Sequence, residues 1–426
     1  MTRLILIRHG QSEANLNIWW AGHTDAPLTE LGHAQAAAAA HYLREHEQID
    51  AVYASDLRRA MDTARPTAEA FGLSITPERG LREIFGGAWE ELPFSVINEK
   101  YAADRSLWYT DLGNALCTDG ETVAALYRRV VDTVTRIAEE NDGKTVLIAA
   151  HWTPILAMIC HALGRDPSEI GDCPEPYNAS IQIISYEHNR FKPVRLNITE
   201  HLGDMLPKPS QKRPTRLIVV RHGFSVSNAE RRYTGQQDVP LSPLGHEQAA
   251  LLADRLAVTE RITAVYSSDL VRAMDTVTPT AKRFGLSVIP ERGLRETDVG
   301  DWTGRTYEEV AEQDAALLER HRLDPGVPCP GGECHRAVFE RVTNTVKRIL
   351  EENAGGCVLL ATHAMPARCI EAMSAGHGIE EIRAHRVAPN ASFRIYTYRN
   401  GKLFSQGRNV VSHLEKPGES LPDELV

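Results

Sequence analysis

The segment Leu4-Ile5-Leu6-Ile7-Arg8-His9-Gly10 lies near the start of the chain and runs from four apolar residues directly into an arginine, a histidine and a glycine. A short continuous apolar run that ends at such a break is typical of a buried strand. In open α/β sheets the ligand crevice lies at the carboxyl ends of the strands. The segment therefore predicts an α/β fold with Arg8 and His9 at the functional edge of its sheet.

The same segment returns downstream as Val220-Arg221-His222-Gly223, and further residues recur with it. Three pairs are separated by 213 positions and a fourth by 212: His9 and His222, Arg59 and Arg272, Glu83 and Glu296, then His151 and His363. A period of this length is too long for a solenoid, so each copy should fold on its own core. We predict a first domain at residues 1–202, a short linker at 203–214 and a second domain at 215–426.

Within one copy, apolar runs at Ala51–Ala54, from Ile75 and at Thr145–Ala149 alternate with helical patterns. Thr29 and Ser55 are predicted to cap the helices that follow them, because short hydroxyl side chains are favoured at helix N-termini. Strands that alternate with helices predict a mostly parallel sheet covered by helices on both faces.

The composition is that of an ordinary soluble globular protein and argues against a nucleic-acid or membrane binder. The 426 residues carry a net charge of −10, whereas partners with anionic surfaces require basic excess. No apolar run reaches the ~18 residues of a membrane span, and the N-terminus lacks the features of a signal peptide. We therefore expect a cytoplasmic protein with no membrane and no nucleic-acid partner; the sequence leaves its oligomeric state open.

The metal-binding and disulfide signals are weak. The seven cysteines include no C-x-x-C pair, and the seventeen histidines include no H-E-x-x-H motif. We expect no metal site and no cofactor.

Five polar residues of the first copy can meet at one edge of the sheet. His9 and His151 each follow an apolar run, Arg8 precedes His9, Arg59 lies in a helix and Glu83 lies in a loop. Arginine binds phosphate oxygens bidentately, and a neutral imidazole can attack phosphorus. Glu83 can protonate a leaving alkoxide if burial or a neighbouring carboxylate raises its pKa. The set predicts phosphoryl transfer with a histidine nucleophile.

These motifs resemble the histidine phosphatase superfamily, in its phosphoglycerate-mutase-like branch. The resemblance rests on Arg-His-Gly, Ser-x-Leu-x-Arg-Ala, the Leu-x-Glu loop and the second histidine, and it covers nearly the whole chain. It implies a three-layer α/β/α sandwich in each copy and a small phosphorylated metabolite as substrate.

The resemblance also implies roles for individual residues. His9 would be phosphorylated, Glu83 would donate the proton, and the phosphoryl oxygens would be held by Arg8, Arg59 and His151, with Asn15 and Gln11 lining the pocket. The corresponding residues of the second copy are His222, Glu296, Arg221, Arg272, His363 and Asn228.

The sequence leaves three alternative functions open. Mutases of this family carry a longer insert between the acid and the second histidine, whereas here 68 positions separate Glu83 from His151 and 67 separate Glu296 from His363. This spacing favours a phosphatase over a mutase. One copy could instead be a non-catalytic phosphate-binding module, and a signalling phosphatase that acts on phosphoproteins is a further possibility.

The two copies differ around the shared residues. The first copy has Trp19, Trp20 and Trp152, whereas the second has Arg231-Arg232 near the first two positions and Ala364 at the third. Arg368 stands where the first copy has Leu156. We predict that Trp19, Trp20, Trp152 and Arg368 line the substrate pockets, with a more aromatic pocket in the first copy and a preference for smaller or more anionic esters in the second.

Overall fold

The computed structural model describes residues 1–206, 214–406 and 408–414. These residues divide into two compact units, with the main division between residues 206 and 214. The predicted domain boundaries stay a prediction, because residues 207–213 of the linker and residues 407 and 415–426 of the second domain lie outside the described residues. The units are called domain 1 and domain 2 below.

Domain 1 has the alternation of strands and helices that the sequence predicts. Its strands are β1 (Thr2–Arg8), β2 (Ala51–Ala54), β3 (Ile75–Pro77), β4 (Thr145–Ala150), β5 (Ile181–Glu187) and β6 (Arg190–Ile198). Its α-helices are α1 (Glu13–Asn17), α2 (Glu30–His46), α3 (Arg58–Phe71), α4 (Phe94–Lys100), α5 (Ala102–Thr110), α6 (Val123–Glu140) and α7 (Trp152–Ala162).

Domain 2 repeats this order. Its strands are β7 (Thr215–Arg221), β8 (Ala264–Ser267), β9 (Val288–Pro290), β10 (Cys357–Thr362), β11 (Phe393–Arg399) and β12 (Lys402–Ser405). Its α-helices are α8 (Val226–Ala229), α9 (Pro243–Thr259), α10 (Val271–Arg283), α11 (Tyr307–Gln313), α12 (Ala315–Leu323), α13 (His335–Glu352) and α14 (Ala364–Ala375). Among the described residues, no helix is both long enough and apolar enough to cross a membrane.

Each domain is built on a six-stranded sheet, with the order β3-β2-β4-β1-β5-β6 in domain 1 and β12-β11-β7-β10-β8-β9 in domain 2. The strands β3, β2, β4 and β1 pair in parallel, whereas β5 pairs antiparallel with both of its neighbours, β1 and β6. The mostly parallel sheet is therefore confirmed. The reversed strand β5 belongs to the C-terminal part of domain 1.

The alternation of side chains along β1 explains the three layers. Leu4 and Leu6 are buried in one core with residues of α6 and α7, while Ile5 and Ile7 are buried in a second core with residues of α2 and α3. Successive residues of a strand point to opposite faces of the sheet. A continuously apolar β1 therefore requires helices on both faces, and the predicted α/β/α sandwich is confirmed.

The two predicted helix caps have different outcomes. Thr29 caps α2, since its hydroxyl accepts a hydrogen bond from the amide of Gly32. Ser55 does not cap α3, because that helix begins three residues later and the residue before it, Leu57, makes no side-chain cap bond. The hydroxyl of Ser55 instead contacts His151.

The central strand β4 provides a test of the fold. Leu147 is fully buried and pairs with Ile5 and Val52 on the neighbouring strands. We expect Leu147→Ala to lower the free energy of unfolding of domain 1 by about 2–5 kcal/mol, because it leaves a cavity in a packed core. Urea denaturation followed by tryptophan fluorescence measures this, since five of the six tryptophans lie in residues 1–202.

The matched control is Leu16→Ala, because Leu16 is 55% exposed. Equal destabilisation by the two changes would contradict the placement of β4 in the core.

Candidate active site

The pairing of β1 with β4 brings His9 and His151 together. The two strands run parallel with Arg8 opposite Ala150, and the amide of His9 donates to the carbonyl oxygen of Ala150 over 3.0 Å. Both histidines directly follow their strands, so both lie at the carboxyl edge of the sheet. Their ring centroids are 5.2 Å apart with the rings tilted by 60°.

The hydrogen bond at Nδ1 of His9 determines which ring nitrogen can react. Nδ1 lies 2.7 Å from the carbonyl oxygen of Gly10. A carbonyl oxygen only accepts, so Nδ1 carries the proton. Burial, followed by the charges of Arg59 and Arg8, lowers the pKa of His9 well below its usual value. At neutral pH His9 is therefore uncharged, with its lone pair on Nε2.

His151 is held from both sides. Its Nε2 lies 2.8 Å from Oγ of Ser55, and Nε of Arg59 donates to its Nδ1 over 3.2 Å. Since a guanidinium only donates, Nδ1 is the acceptor and Nε2 carries the proton. Burial and the charge of Arg59 lower the pKa of His151 as well.

Two arginines are fixed beside the histidines by backbone carbonyl groups. Arg59 is 1% exposed and donates to the carbonyl oxygens of Gly22 and Thr24, each over 2.8 Å. Arg8 donates from Nη1 to the carbonyl oxygen of Pro176 over 2.8 Å. Backbone carbonyl groups thus fix the positions of both guanidinium groups, and a fixed guanidinium suits an anionic ligand.

Glu83 faces the helix that follows His151. Its carboxylate accepts from its neighbour's amide at Ile84 over 2.8 Å and from the amide of Thr153, in the first turn of α7, over 3.3 Å. The loop that carries it is clamped by Arg129, which donates to the carbonyl oxygens of residues 80, 82 and 83 and forms an ion pair with Glu121.

Asn15 and Gln11 have different surroundings. Oδ1 of Asn15 accepts from the amide of Ser12 and from the side chain of Asn178, which also donates to the carbonyl oxygen of His9. Asn178 thus links the side chain of Asn15 to the backbone of His9. Oε1 of Gln11 accepts from the hydroxyl of Thr29, so this side chain supports the cap of α2.

Domain 2 repeats the histidine arrangement. Nδ1 of His222 lies 2.7 Å from the carbonyl oxygen of Gly223, and Nε2 of His363 lies 2.8 Å from Oγ of Ser268. The two ring centroids are 5.1 Å apart. Burial and the neighbouring arginines lower the pKa values of both histidines, with burial as the larger cause. Nδ1 of His363 is buried and has no hydrogen-bond partner among the described residues.

The arginines and the acid of domain 2 also match. Arg272 donates to the carbonyl oxygens of Gly235 and Gln237, and burial lowers its pKa to about 10, so that it stays charged at neutral pH. Arg221 donates to a backbone carbonyl as Arg8 does. Glu296 accepts from the amides of its neighbour and of Ala364 at the start of α14. The side chain of Asn390 donates to Asn228, as that of Asn178 does to Asn15.

Two of the predicted pocket residues make structural contacts. Trp20 is 8% exposed and packs edge-on against the rings of Trp89 and Trp108, so it is a core residue. Arg368 donates to the carbonyl oxygens of Ile382 and His385 and so fixes the segment that follows α14. Trp20 thus belongs to an aromatic cluster and Arg368 is held by backbone carbonyl groups, and a pocket role for these two residues stays a prediction.

The other two tryptophans are only half-buried. Trp19 pairs with Pro93 as Arg232 pairs with Thr306, so Arg232 is its counterpart in domain 2. Trp152 packs against the core on the α6/α7 face. The histidine pairs have nearly the same separation in the two domains, so Trp152 leaves this arrangement unchanged. A pocket role for Trp19 and Trp152 stays a prediction.

The sequence analysis missed several residues that position the site. The hydroxyl of Thr63 accepts from the amide of Gly10, and Thr276 does the same for Gly223. Ser55 and Ser268 hold the second histidines, and Arg341 with Glu333 clamps the loop of Glu296 as Arg129 with Glu121 clamps that of Glu83. The internal repeat could have identified these residues, because each of them recurs 212 or 213 positions later in the sequence.

Both halves of the chain are similar to known proteins. The sequence profile of the histidine phosphatase superfamily (branch 1) matches residues 4–199 and 217–410, so the chain belongs to this superfamily in both halves. The predicted family and tandem repeat are confirmed.

Two relatives and a solved structure each match about one domain. Phosphoserine phosphatase 1 of Hydrogenobacter thermophilus is 35% identical over 207 residues, which cover 48% of this chain and 96% of the relative. An adenosylcobalamin/alpha-ribazole phosphatase of Salmonella typhimurium is 36% identical over 163 residues, covering 38% and 79%. The structure of a mycobacterial glucosyl-3-phosphoglycerate phosphatase is 28% identical, with coverage of 45% and 97% and a TM-score of 0.43.

The lowered pKa values of the histidine pairs predict how their rings titrate. We expect the ring signals of His9, His151, His222 and His363 to show no inflection between pH 6 and 8, because all four are neutral throughout that range. Nuclear magnetic resonance of histidine labelled with ¹³C in the ring measures this, with assignment by single histidine-to-alanine variants.

The urea-unfolded chain is the control, since its histidines should titrate near the ordinary value of ~6.5. An inflection near that value in the folded protein for any of the four would contradict the neutral state.

Proposed function

We propose that both domains hydrolyse phosphate monoesters of small metabolites, through a phosphohistidine formed on His9 in domain 1 and on His222 in domain 2. The observation that carries the proposal is the neutral, buried histidine whose proton is held on Nδ1, which leaves Nε2 as a nucleophile beside two fixed arginines. The cytoplasmic location stays a prediction.

The phosphate would bind to arginine side chains whose positions the protein already fixes. The guanidinium groups of Arg8 and Arg59 would hold the phosphoryl oxygens, with the side-chain nitrogen Nδ2 of Asn15 as a further donor. In domain 2, Arg221, Arg272 and Asn228 would do the same. With the Ser268 hydroxyl donating to Nε2 of His363, Nδ1 would carry the ring proton and could donate it to a phosphoryl oxygen, which would give this buried nitrogen a partner.

The reaction would proceed in two displacements. In the first, Nε2 of His9 forms a bond to phosphorus while the ester P–O bond breaks, and Glu83 gives its proton to the departing alkoxide. In the second, water attacks the phosphohistidine, Glu83 takes a proton from that water, and His9 leaves with its original protonation. The arginine charges stabilise both transition states. Metal independence is part of this proposal.

Similar proteins support hydrolysis. The relatives and the solved structure described above are named as phosphatases for phosphoserine, α-ribazole phosphate and glucosyl-3-phosphoglycerate. The near-identical histidine pairs favour turnover in both domains over a binding role for one of them.

Substitution of the nucleophiles tests the proposal. We expect His9→Ala and His222→Ala each to abolish the release of inorganic phosphate from one subset of a phosphate-ester panel, and the double variant to release none. The reason is that each domain has its own nucleophile. His41→Ala is the control, because His41 is an exposed histidine of α2. Phosphate release that survives in the double variant would refute the histidine mechanism.

The mutase alternative has its own assay. With 3-phosphoglycerate and 2,3-bisphosphoglycerate we expect phosphate release to outpace isomerisation, because the spacing between acid and second histidine is short. Isomerisation faster than phosphate release, measured by coupled assay, would replace the phosphatase proposal with a mutase.

A further inference from the structure

The residues beside the proton donor differ between the domains in a consistent way. If Glu83 and Glu296 protonate the leaving group, as the proposed function holds, then their neighbours face that leaving group. The shared residues around the phosphate cannot separate substrates, because they are the same in both domains. Selectivity must therefore come from residues that differ between the domains, and those beside the acid face the leaving group.

In domain 1 this side carries an exposed aromatic ring. Phe85, two residues after Glu83, is 41% exposed and lies 5.2 Å from the ring of His23. Nε2 of His23 in turn lies 3.0 Å from the carbonyl oxygen of Glu83. The backbone of Phe85 is fixed by Glu121, whose amide donates to its carbonyl oxygen over 2.9 Å. The backbone of Phe85 is therefore held in place, and its phenyl ring is exposed to solvent beside the proton donor.

In domain 2 the same two positions are polar. Asp298 takes the place of Phe85 and accepts from the amide of Gly300. Gln236 takes the place of His23 and donates to the carbonyl oxygen of Glu296 over 3.2 Å. Both domains therefore have a hydrogen bond to the backbone carbonyl oxygen of the proton donor, whereas domain 2 lacks the exposed ring of Phe85.

A third position changes in the same direction. Tyr307, the first residue of α11, is 40% exposed, and Phe94 is its counterpart at the start of α4. Burial raises the pKa of Tyr307, and the charges of Arg221 and Glu296 also act on it. Its hydroxyl group is therefore within electrostatic reach of the phosphate-binding arginine and the acid. Phe94 has no such group and packs against Trp20.

We propose that the two domains divide their substrates by the leaving group, so that domain 1 takes phosphate esters of aromatic alcohols, which stack on Phe85, and domain 2 takes esters of small polar alcohols. This division rests on the proposed function. A stacked ring pair gains from the offset or edge-on contact of its π systems in addition to apolar burial. Asp298, Gln236 and Tyr307 offer hydrogen bonds instead.

Full-length variants with one active domain test the division. In the His222→Ala background, where domain 1 acts alone, kcat/KM is measured for phenyl phosphate and for glycerol 3-phosphate. We expect Phe85→Asp to lower the ratio of kcat/KM for phenyl phosphate to kcat/KM for glycerol 3-phosphate by about 2- to 10-fold. This is the range that the energies of aromatic pairs give. Phe85→Tyr, which keeps the ring, should leave the ratio close to that of its parent.

The reciprocal change is Asp298→Phe in the His9→Ala background, where domain 2 acts alone. We expect it to raise the same ratio. Intrinsic differences between the two leaving groups cancel, because each ratio is compared with that of its parent.

The outcomes separate the division from the function on which it rests. Phosphate release from both esters with unchanged ratios in both backgrounds would overturn the division alone. No phosphate release from any ester in the His222→Ala background would overturn both the division and the proposed function of domain 1.

Discussion

The hydrogen bond between Nδ1 of His9 and the carbonyl oxygen of Gly10 is the interaction on which the site depends. It keeps the ring proton away from Nε2, while burial and two guanidinium groups keep the ring neutral. The carbonyl group is held by a loop in which backbones pack closely. A Cβ on Gly10 would lie 2.4 Å from the carbonyl oxygen of Gly32, and one on Gly32 would lie 2.1 Å from that of Gln11. Glycine is required at both positions because two backbone segments touch there.

The rest of each domain places other groups around that ring. Parallel pairing of β1 and β4 sets the second histidine 5.2 Å away, and Arg59 reaches both from α3. The carbonyl groups of residues 22 and 24 and the Arg129–Glu121 pair hold the arginine and the acid loop without touching the histidines. These bonds, except the one from Arg59 to His151, have counterparts among the described residues of domain 2, which indicates that both domains hold their sites in the same way. The residues that differ, such as Phe85 and Asp298, are free to set selectivity.

The sequence predicted the parts that depend on local order along the chain. Apolar runs located β1, β2 and β4, and the strand-end position of His9 and His151 followed from them. It missed what depends on contacts between distant segments. Ser55 has the local chemistry of a helix cap, yet its hydroxyl is used by a histidine 96 positions away. The sequence likewise does not show that Arg368 donates to the backbone carbonyl oxygens of Ile382 and His385, 14 and 17 positions away. The antiparallel direction of β5 is likewise set by where the chain returns to the sheet.

Detection of phosphate on the nucleophile tests the central claim most directly. Glu83→Gln removes the group that takes a proton from the attacking water, which slows hydrolysis of the phosphohistidine. The phenolate of phenyl phosphate needs little help from an acid to leave. With this substrate the phosphohistidine should therefore accumulate. In the His222→Ala background, rapid quenching at alkaline pH and mass spectrometry of the peptide that contains His9 should show one acid-labile phosphoryl group. The same experiment with His9→Ala should show none. Phosphate release without any phosphorylated His9 peptide, or an unchanged level of phosphate label in the His9→Ala protein, would contradict the account.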